Sequence, residues 1–180
     1  MAKKCKQCKV PFTPVRPMQK VCSPACAMQI ARQVVDKAEK KETKLKLDAM
    51  QTKPQLVKKA QTAFNAYIRA RDKGKACISC DAPLGDKPNT FDAGHYRSTG
   101  SAPHMRYVED QVHGQCKKCN RYLGGNAVEY RKRLLERIGL ERLEQIESDN
   151  VLRKYTKEAL IEIARHYNEQ ARRLAKESVD

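Results

Sequence analysis

The sequence predicts an α+β fold that is mostly helical, and three observations carry that prediction. Apolar residues recur at three- and four-residue steps over several long segments, the period of an amphipathic helix. Only the stretch between Thr90 and Val112 reads as short strands, separated by a loop rich in Gly, Ser and Pro. All eight cysteines fall into four close pairs: Cys5-x2-Cys8, Cys22-x3-Cys26, Cys77-x2-Cys80 and Cys116-x2-Cys119. Pairs at this spacing suit tetrahedral zinc, with two pairs per ion.

The 180 residues carry 37 Lys and Arg against 21 Asp and Glu, a formal charge of +16. Solubility of a small domain needs a magnitude of only roughly 2–8, so the excess points to a polyanion, most simply nucleic acid. Aromatics are 6% and Trp is missing, which favours several small packed units over one large core. No apolar run approaches the ~18 residues of a membrane span. The opening Met-Ala-Lys-Lys-Cys lacks the apolar segment of a secretion signal. A cytoplasmic chain with no membrane partner is expected, and in that reducing setting paired Cys read as zinc ligands rather than disulfides.

Four regions follow in order. Residues 1–26 form a zinc knuckle on Cys5, Cys8, Cys22 and Cys26, kept turn-rich by Pro11, Pro14 and Pro17. It has no acidic residue but carries Lys3, Lys4, Lys6, Lys9, Arg16 and Lys20, a charge suited to DNA backbone or a partner protein. A purely structural cap is the alternative. Residues 27–53 are a basic linker whose alternating charges suit a solvated helix over 27–50.

Residues 54–126 open with a helix from Pro54 to about Asp72, with Leu56, Val57, Ala60, Phe64, Tyr67 and Ile68 on one face and Gly74 suited to the stop. After Cys77–Cys80 come a turn at Asp81–Asn89, a strand at Thr90–Tyr96, a loop at Arg97–Pro103 and a second strand at Met105–Val112. Cys116–Leu123 can form one or two helical turns before Gly124-Gly125. Residues 127–180 are helical. Asn126, three residues before Glu129, resembles a capping box, Arg131, Lys132, Arg133 and Arg137 make a basic side, and Gly139 stops that helix. A short helix at Leu140–Ile146 follows. Thr156 caps the last helix, which sets Leu160, Ile163, Ala164, Tyr167, Ala171 and Leu174 on one face.

The second zinc site, on Cys77, Cys80, Cys116 and Cys119, would tie together a segment too polar to fold alone. That frees the residues between the pairs for chemistry. Phosphodiester hydrolysis needs a base to activate water and a cation to neutralise developing charge. His95 or His113 suits the base, and Asp92 and Asn120 offer the oxygen ligands that Mg2+ or Mn2+ prefer. Positions 92 and 95 point to opposite faces of a regular strand, so their convergence requires a bulge, which Gly94 permits. A hairpin centred near His104 would make His95 and His113 cross-strand neighbours. His104 and His166 read as surface residues. Tyr96 and Arg97 read as DNA contacts or strand packing.

Cys-x2-Cys, an Asp/His strand and Cys-x2-Cys-Asn together resemble the zinc-bound class of ββα-metal (HNH-type) nucleases, which includes phage endonuclease VII. More closely, Cys77-Ile-Ser-Cys80, Asp92-Ala-Gly-His95-Tyr-Arg, His113-Gly-Gln-Cys116-Lys-Lys-Cys119-Asn120 and Gly125-Asn126 resemble the NinG (Rap) recombination proteins of lambdoid phages. The resemblance covers most of the chain. It implies a zinc-stapled ββα-metal (HNH-like) centre flanked by helices, and an endonuclease acting on Holliday junctions and D-loops. It further implies structural zinc on Cys77, Cys80, Cys116 and Cys119, the catalytic cation on Asp92 and Asn120, and His95 as base. The acidic residue usually stands immediately before the His, and Ala93-Gly94 intervene here. Gln111 lies near the place of the usual middle Asn.

Two other classes compete. One is a non-catalytic zinc-finger DNA-binding protein, the other an HNH nuclease of another role, such as restriction or packaging. A zinc deaminase is disfavoured because no His-x-Glu accompanies the Cys pairs. Resolution of a four-way junction takes two cuts, so a homodimer is expected, and host or phage recombination proteins are expected partners.

Overall fold

Helices supply most of the structure, and in the second of two units a two-stranded ribbon carries the polar segment. The computed structural model describes residues 2–87 and 89–177, apart from the side chains at 48 and 49; Pro88, inside the turn expected at Asp81–Asn89, lies outside them. The described residues are α+β and mostly helical, and they fall into two compact units, Met1–Gln51 and Thr52–Asp180.

In the first unit, β1 (Lys3–Lys4) and β2 (Pro11–Phe12) pair antiparallel, and α1 (Pro24–Met50) follows. Pro24 takes the first helical position, where its missing N–H costs nothing, and the Ser23 hydroxyl accepts the Cys26 N–H at 3.2 Å. The body of α1 is exposed, including Val34 and Leu45.

The second unit is built on α2 (Lys53–Arg71) packed against α5 (Lys157–Glu177). Gln55 accepts the Thr52 N–H at 2.8 Å to start α2, and the Thr156 hydroxyl accepts the Ala159 N–H at 3.1 Å to start α5. Leu56, Ala60, Ala63, Phe64 and Ile68 meet Leu160, Ala164 and Tyr167 in the main core, with Phe64 and Tyr167 edge to face at 4.8 Å. Glu109 ties the two helices: its carboxylate accepts from Tyr67 at 2.7 Å and from Tyr167 at 3.1 Å.

On this frame lie β3 (Phe91–His95) and β4 (Val112–Cys116), paired antiparallel. The second strand expected at Met105–Val112 is thus a correction: pairing begins where that segment ends. Pro103–Met105 and Glu109–Gln111 wind into short 3-10 turns instead. Pro103 fixes the first of them, and the Gln111 side chain ties off the segment by donating to the Met105 carbonyl at 2.7 Å.

Lys118–Tyr122 is a π-turn, closed by the Leu123 N–H on the Lys118 carbonyl at 3.0 Å. Then come α3 (Ala127–Ile138) and α4 (Leu140–Ser148), which bury Tyr130, Leu134 and Leu143 against Ile78. Gly139 joins them at φ +78, a backbone region that side chains disfavour. Asn126 does not cap α3 through its side chain. It sits at φ +47 and its amide reaches Cys119 Sγ at 3.7 Å.

Candidate metal centres and nucleic-acid face

Each set of four cysteines converges. The sulfurs of Cys5, Cys8, Cys22 and Cys26 lie within 4.8 Å of one another, as do those of Cys77, Cys80, Cys116 and Cys119. Four sulfurs held ~2.3 Å from one zinc ion would stand about 3.8 Å apart. The Cys8–Cys22 and Cys22–Cys26 separations are 3.6 Å and Cys80–Cys116 is 3.7 Å. Both clusters therefore fit zinc, and either could hold it.

The two knuckles share one backbone design. Lys9 N–H bonds the Cys5 carbonyl and Asp81 N–H bonds the Cys77 carbonyl; Cys5 N–H reaches Val10 and Cys77 N–H reaches Ala82. Lys9 (φ +63) and Asp81 (φ +58) take the same left-handed corner four residues after the first Cys. Backbone N–H groups also point at sulfur, from Cys22 to Cys5 Sγ at 3.4 Å and from Cys116 to Cys77 Sγ at 3.3 Å. Burial works against charging Cys77, but the N–H groups of Cys116, Ser79 and Cys80 hold its thiol below the ordinary range.

Between the second set of ligands, Asp92 and Asn120 come together. Asn120 Nδ2 donates to Asp92 Oδ2 at 3.0 Å. The Arg121 guanidinium grips the same carboxylate with two bonds, 2.7 and 2.8 Å. Arg121 holds Asp92 below the usual carboxylate range against the opposing effect of burial, and Asn120 and Lys117 add to it. The π-turn makes this double approach feasible. It widens the helix, so adjacent residues are splayed by less than the ~100° of an α-helix.

His95 lies elsewhere. The ladder runs without interruption from Phe91↔Cys116 to His95↔Val112, so the bulge expected at Gly94 is absent. Gly94 serves a close approach instead: a Cβ there would meet Gln115 Oε1 at 2.2 Å. Asp92 and His95 therefore take opposite faces of the ribbon. His113 pairs with Gly94, not with His95, so the two imidazoles are not cross-strand neighbours either.

The His95 ring lies 6.2 Å from that of Phe64, centroid to centroid, and its Nε2 donates to the Arg106 carbonyl at 3.1 Å. A carbonyl only accepts, so Nε2 carries the proton and Nδ1 keeps a lone pair. Burial pushes the His95 pKa down, and the backbone of Arg106 and of Ala93 only partly offsets it. The imidazole is neutral near pH 7.

His113 is engaged at both nitrogens, Nδ1 with Arg71 Nη2 at 3.0 Å and Nε2 with the Asp110 carbonyl at 3.1 Å. Burial and then the Arg71 charge push it down to about 4. It has no lone pair left for a water. Arg71 also pairs with Asp72, which is buried and accepts the Gly114 N–H at 2.8 Å and Lys75 Nζ at 3.0 Å. Burial would raise Asp72, but Arg71, Gly114 and Lys75 hold it at about 2.

Other residues singled out in the sequence have partners within the fold. His104 is buried, not on the surface, with Nε2 at 2.9 Å from the Asp149 carbonyl; His166 is exposed. Tyr96 bonds Glu147, and Arg97 bonds the carbonyls of Ile146 and Asp149. On the basic side of α3, Arg131 pairs with Glu147, Lys132 with Glu129 and Arg133 with Asp81. The sequence reading missed Arg121, the Arg106 carbonyl and Asp72. Only Arg121 had a signal, its place directly after Asn120.

In the first unit, Lys3, Lys4, Lys6, Lys9 and Lys20 line a groove of about 540 Å3 beside the cysteines, with Gln19 and Met18 at its edge. Five ammonium groups with no acid among the lining residues make an anion-attracting surface.

The model of the family described as Bacteriophage Lambda NinG protein matches residues 1–177, both cysteine clusters included. The chain belongs to the NinG family. Protein ninG of Salmonella phage P22 is 36% identical over 192 residues, covering 96% of this chain and 93% of that protein. The ninG protein of Escherichia phage lambda matches at the same identity and coverage. That of Escherichia phage 933W is 36% identical over 190 residues, again covering 96% and 93%. The NinG match thus takes in both units, and no solved structure matches the chain. No helix among the described residues is long and apolar enough to cross a membrane.

Proposed function

We propose that this NinG-family chain is a metal-dependent DNA endonuclease that hydrolyses phosphodiesters in branched recombination intermediates, Holliday junctions and D-loops among them. The observation that carries the reading is the 3.0 Å meeting of Asp92 and Asn120, two oxygen-bearing side chains brought together beside a zinc-fitting cluster. Asp92 and Asn120 would hold Mg2+ or Mn2+, which prefers oxygen ligands and when bound would neutralise charge on the phosphate and leaving oxygen. His95 would take a proton from water at Nδ1, the nitrogen left free by Arg106.

In-line displacement puts the attacking and leaving oxygens on opposite sides of one phosphorus, whereas the ribbon backbone stands between Asp92 and His95, so base and cation would serve the same phosphate only if the His95 end of β3 turned toward the Asp92 side on binding DNA. Three residues along a strand separate the two Cα atoms by about 10 Å. Zinc would hold the HNH-like centre together. The lysine groove would hold the backbone of a DNA arm, and two copies would place two cuts. The enzyme would act in the host cytoplasm, where thiols stay reduced for zinc, alongside recombination proteins of phage or host.

A zinc-finger protein that binds DNA without cutting is the second reading, favoured by the Arg121 guanidinium already seated on Asp92. Labelled four-way junction and linear duplex, incubated with purified protein and Mg2+ or Mn2+, separate the readings. Junction nicked and duplex spared is the expected result. Junction shifted in a gel yet intact under both ions supports the binder, and equal cutting of both substrates supports an HNH nuclease of another role.

A further inference from the structure

The Asp92 carboxylate is already neutralised, and by a residue that could let go. Arg121 Nε lies 2.7 Å from Oδ2 and Nη2 lies 2.8 Å from Oδ1, so the fork covers both oxygens. Asn120 spends its amide N–H on Oδ2 as well. A divalent cation coordinating Asp92 would meet a positive charge where its own must go. Yet Arg121 is not locked in place: its side chain is 57% exposed, against 19% for Asp92. Among the described residues the hydrogen bonds of the guanidinium run to Asp92, and a cation more than half open to solvent is screened by water.

We propose that Arg121 is a gate on the cation site: it occupies Asp92 in the free protein, must swing off before a divalent cation can bind, and then takes a DNA phosphate. The inference rests on the reading of Asp92 and Asn120 as cation ligands. Two further features point the same way. Lys117, Lys118 and Tyr122 are exposed on the same turn as Arg121, so DNA approaching Asp92 meets cationic side chains first. Guanidinium forks bind phosphate with the geometry they use for carboxylate, so a phosphodiester is a matched competitor for Arg121. The π-turn sets Asn120 and Arg121 on one carboxylate, so the ligand and its competitor share one backbone segment.

Linkage then makes cation and DNA binding cooperative, since each removes the obstacle to the other. Free protein would hold the cation poorly, and the site would load once Arg121 has a phosphate.

Mn2+ binding to zinc-loaded protein without DNA, followed by loss of the free-ion electron paramagnetic signal, tests this apart from activity. Arg121→Ala should bind Mn2+ about five- to tenfold more tightly than wild type, and Asp92→Asn should remove binding from both backgrounds. Zinc content and helical circular dichroism of the variants establish that they are folded. Equal Mn2+ affinity in wild type and Arg121→Ala, with Asp92 still required, would overturn the gate and leave the cation site standing. Absence of any Asp92-dependent Mn2+ binding, even in Arg121→Ala, would overturn both.

Discussion

His95 gives its Nε2 proton to the carbonyl oxygen of Arg106 across 3.1 Å. That one bond selects the tautomer and aims the opposite nitrogen. The Arg106 carbonyl is itself held, because the Arg106 side chain reaches Gln61 and the Thr99 carbonyl while Gln111 secures the neighbouring Met105. Gln111 acts on the loop that orients the imidazole.

His95→Ala should therefore abolish DNA cutting while junction binding persists. Because burial lowers the His95 pKa, the base stays neutral below the usual ~6.5. Activity should hold as pH falls through 6.5 and drop only below it. The His113→Ala protein should instead be less stable by about 1–3 kcal/mol, since Arg71 loses a buried partner. Cutting by His95→Ala at the wild-type rate in a junction assay would remove His95 from the chemistry.

Zinc analysis of the intact chain should return one ion per cluster. Cys8→Ser should lose one equivalent and leave the melting of the Thr52–Asp180 unit unchanged, because the clusters lie in separate compact units. Cys116→Ser should unfold the ribbon, whose apolar cluster beside these cysteines is small, among the described residues Cys77, Leu84, Phe91 and Cys119. Structural zinc supplies roughly 10–16 kcal/mol in comparable small modules.

Asp72 makes the fold acid-sensitive. Its folded pKa, about 2, lies below the ordinary ~3.9, so its stabilising effect is full above ~3.9 and is lost as pH falls through the folded value. The contribution is on the order of 2 kcal/mol. Asp72→Asn should lower stability near neutral pH and flatten the decline between pH 4 and 2, readable in urea melts across that range.

Gly94→Ala should destabilise by about 1–3 kcal/mol, because the new methyl meets the Gln115 side chain at both Oε1 and Cβ. Gln115 is fully buried and holds Ser79 and the Gly125 carbonyl, so it cannot simply move aside. Adding Gln115→Ala should recover part of the loss from Gly94→Ala. Strictly additive losses in a double-mutant cycle would contradict the contact.

Replacing Lys6, Lys9 and Lys20 by Gln should weaken DNA binding at low salt. The slope of log affinity against log salt should shrink by about 0.9 for each phosphate contact removed. An unchanged slope would take the groove out of the DNA interface.

The helices and the cysteine sets were legible because each rests on a local rule. Leu56, Ala60, Phe64 and Ile68 keep helical spacing, and two Cys pairs need only converge. The ribbon was harder. Met105–Val112 has the Tyr and Val content of a strand, yet Pro103 and the Gln111 brace wind it into turns. The real strand, Val-His-Gly-Gln-Cys, has poor strand propensity and gains its place from Arg71, Asp72 and the metal-ligand end at Cys116. Gly94 allowed either a bulge or a close neighbour, and only the position of Gln115 decides between them. The place of Arg121 directly after Asn120 was the one signal for its hold on Asp92, and the widened turn at Lys118–Tyr122 that sets both residues on one carboxylate has no sequence rule to announce it.

The pairing of α2 with α5 sets a timetable. Leu160, Ala164 and Tyr167 close a core that Leu56 and Phe64 opened, and the ribbon leans on that core through Ala93 and Val112. A ribosome must therefore deliver α5 before the ribbon has a floor. Nascent fragments truncated ahead of α5 would leave Ala93 and Val112 without the packing that seats the ribbon.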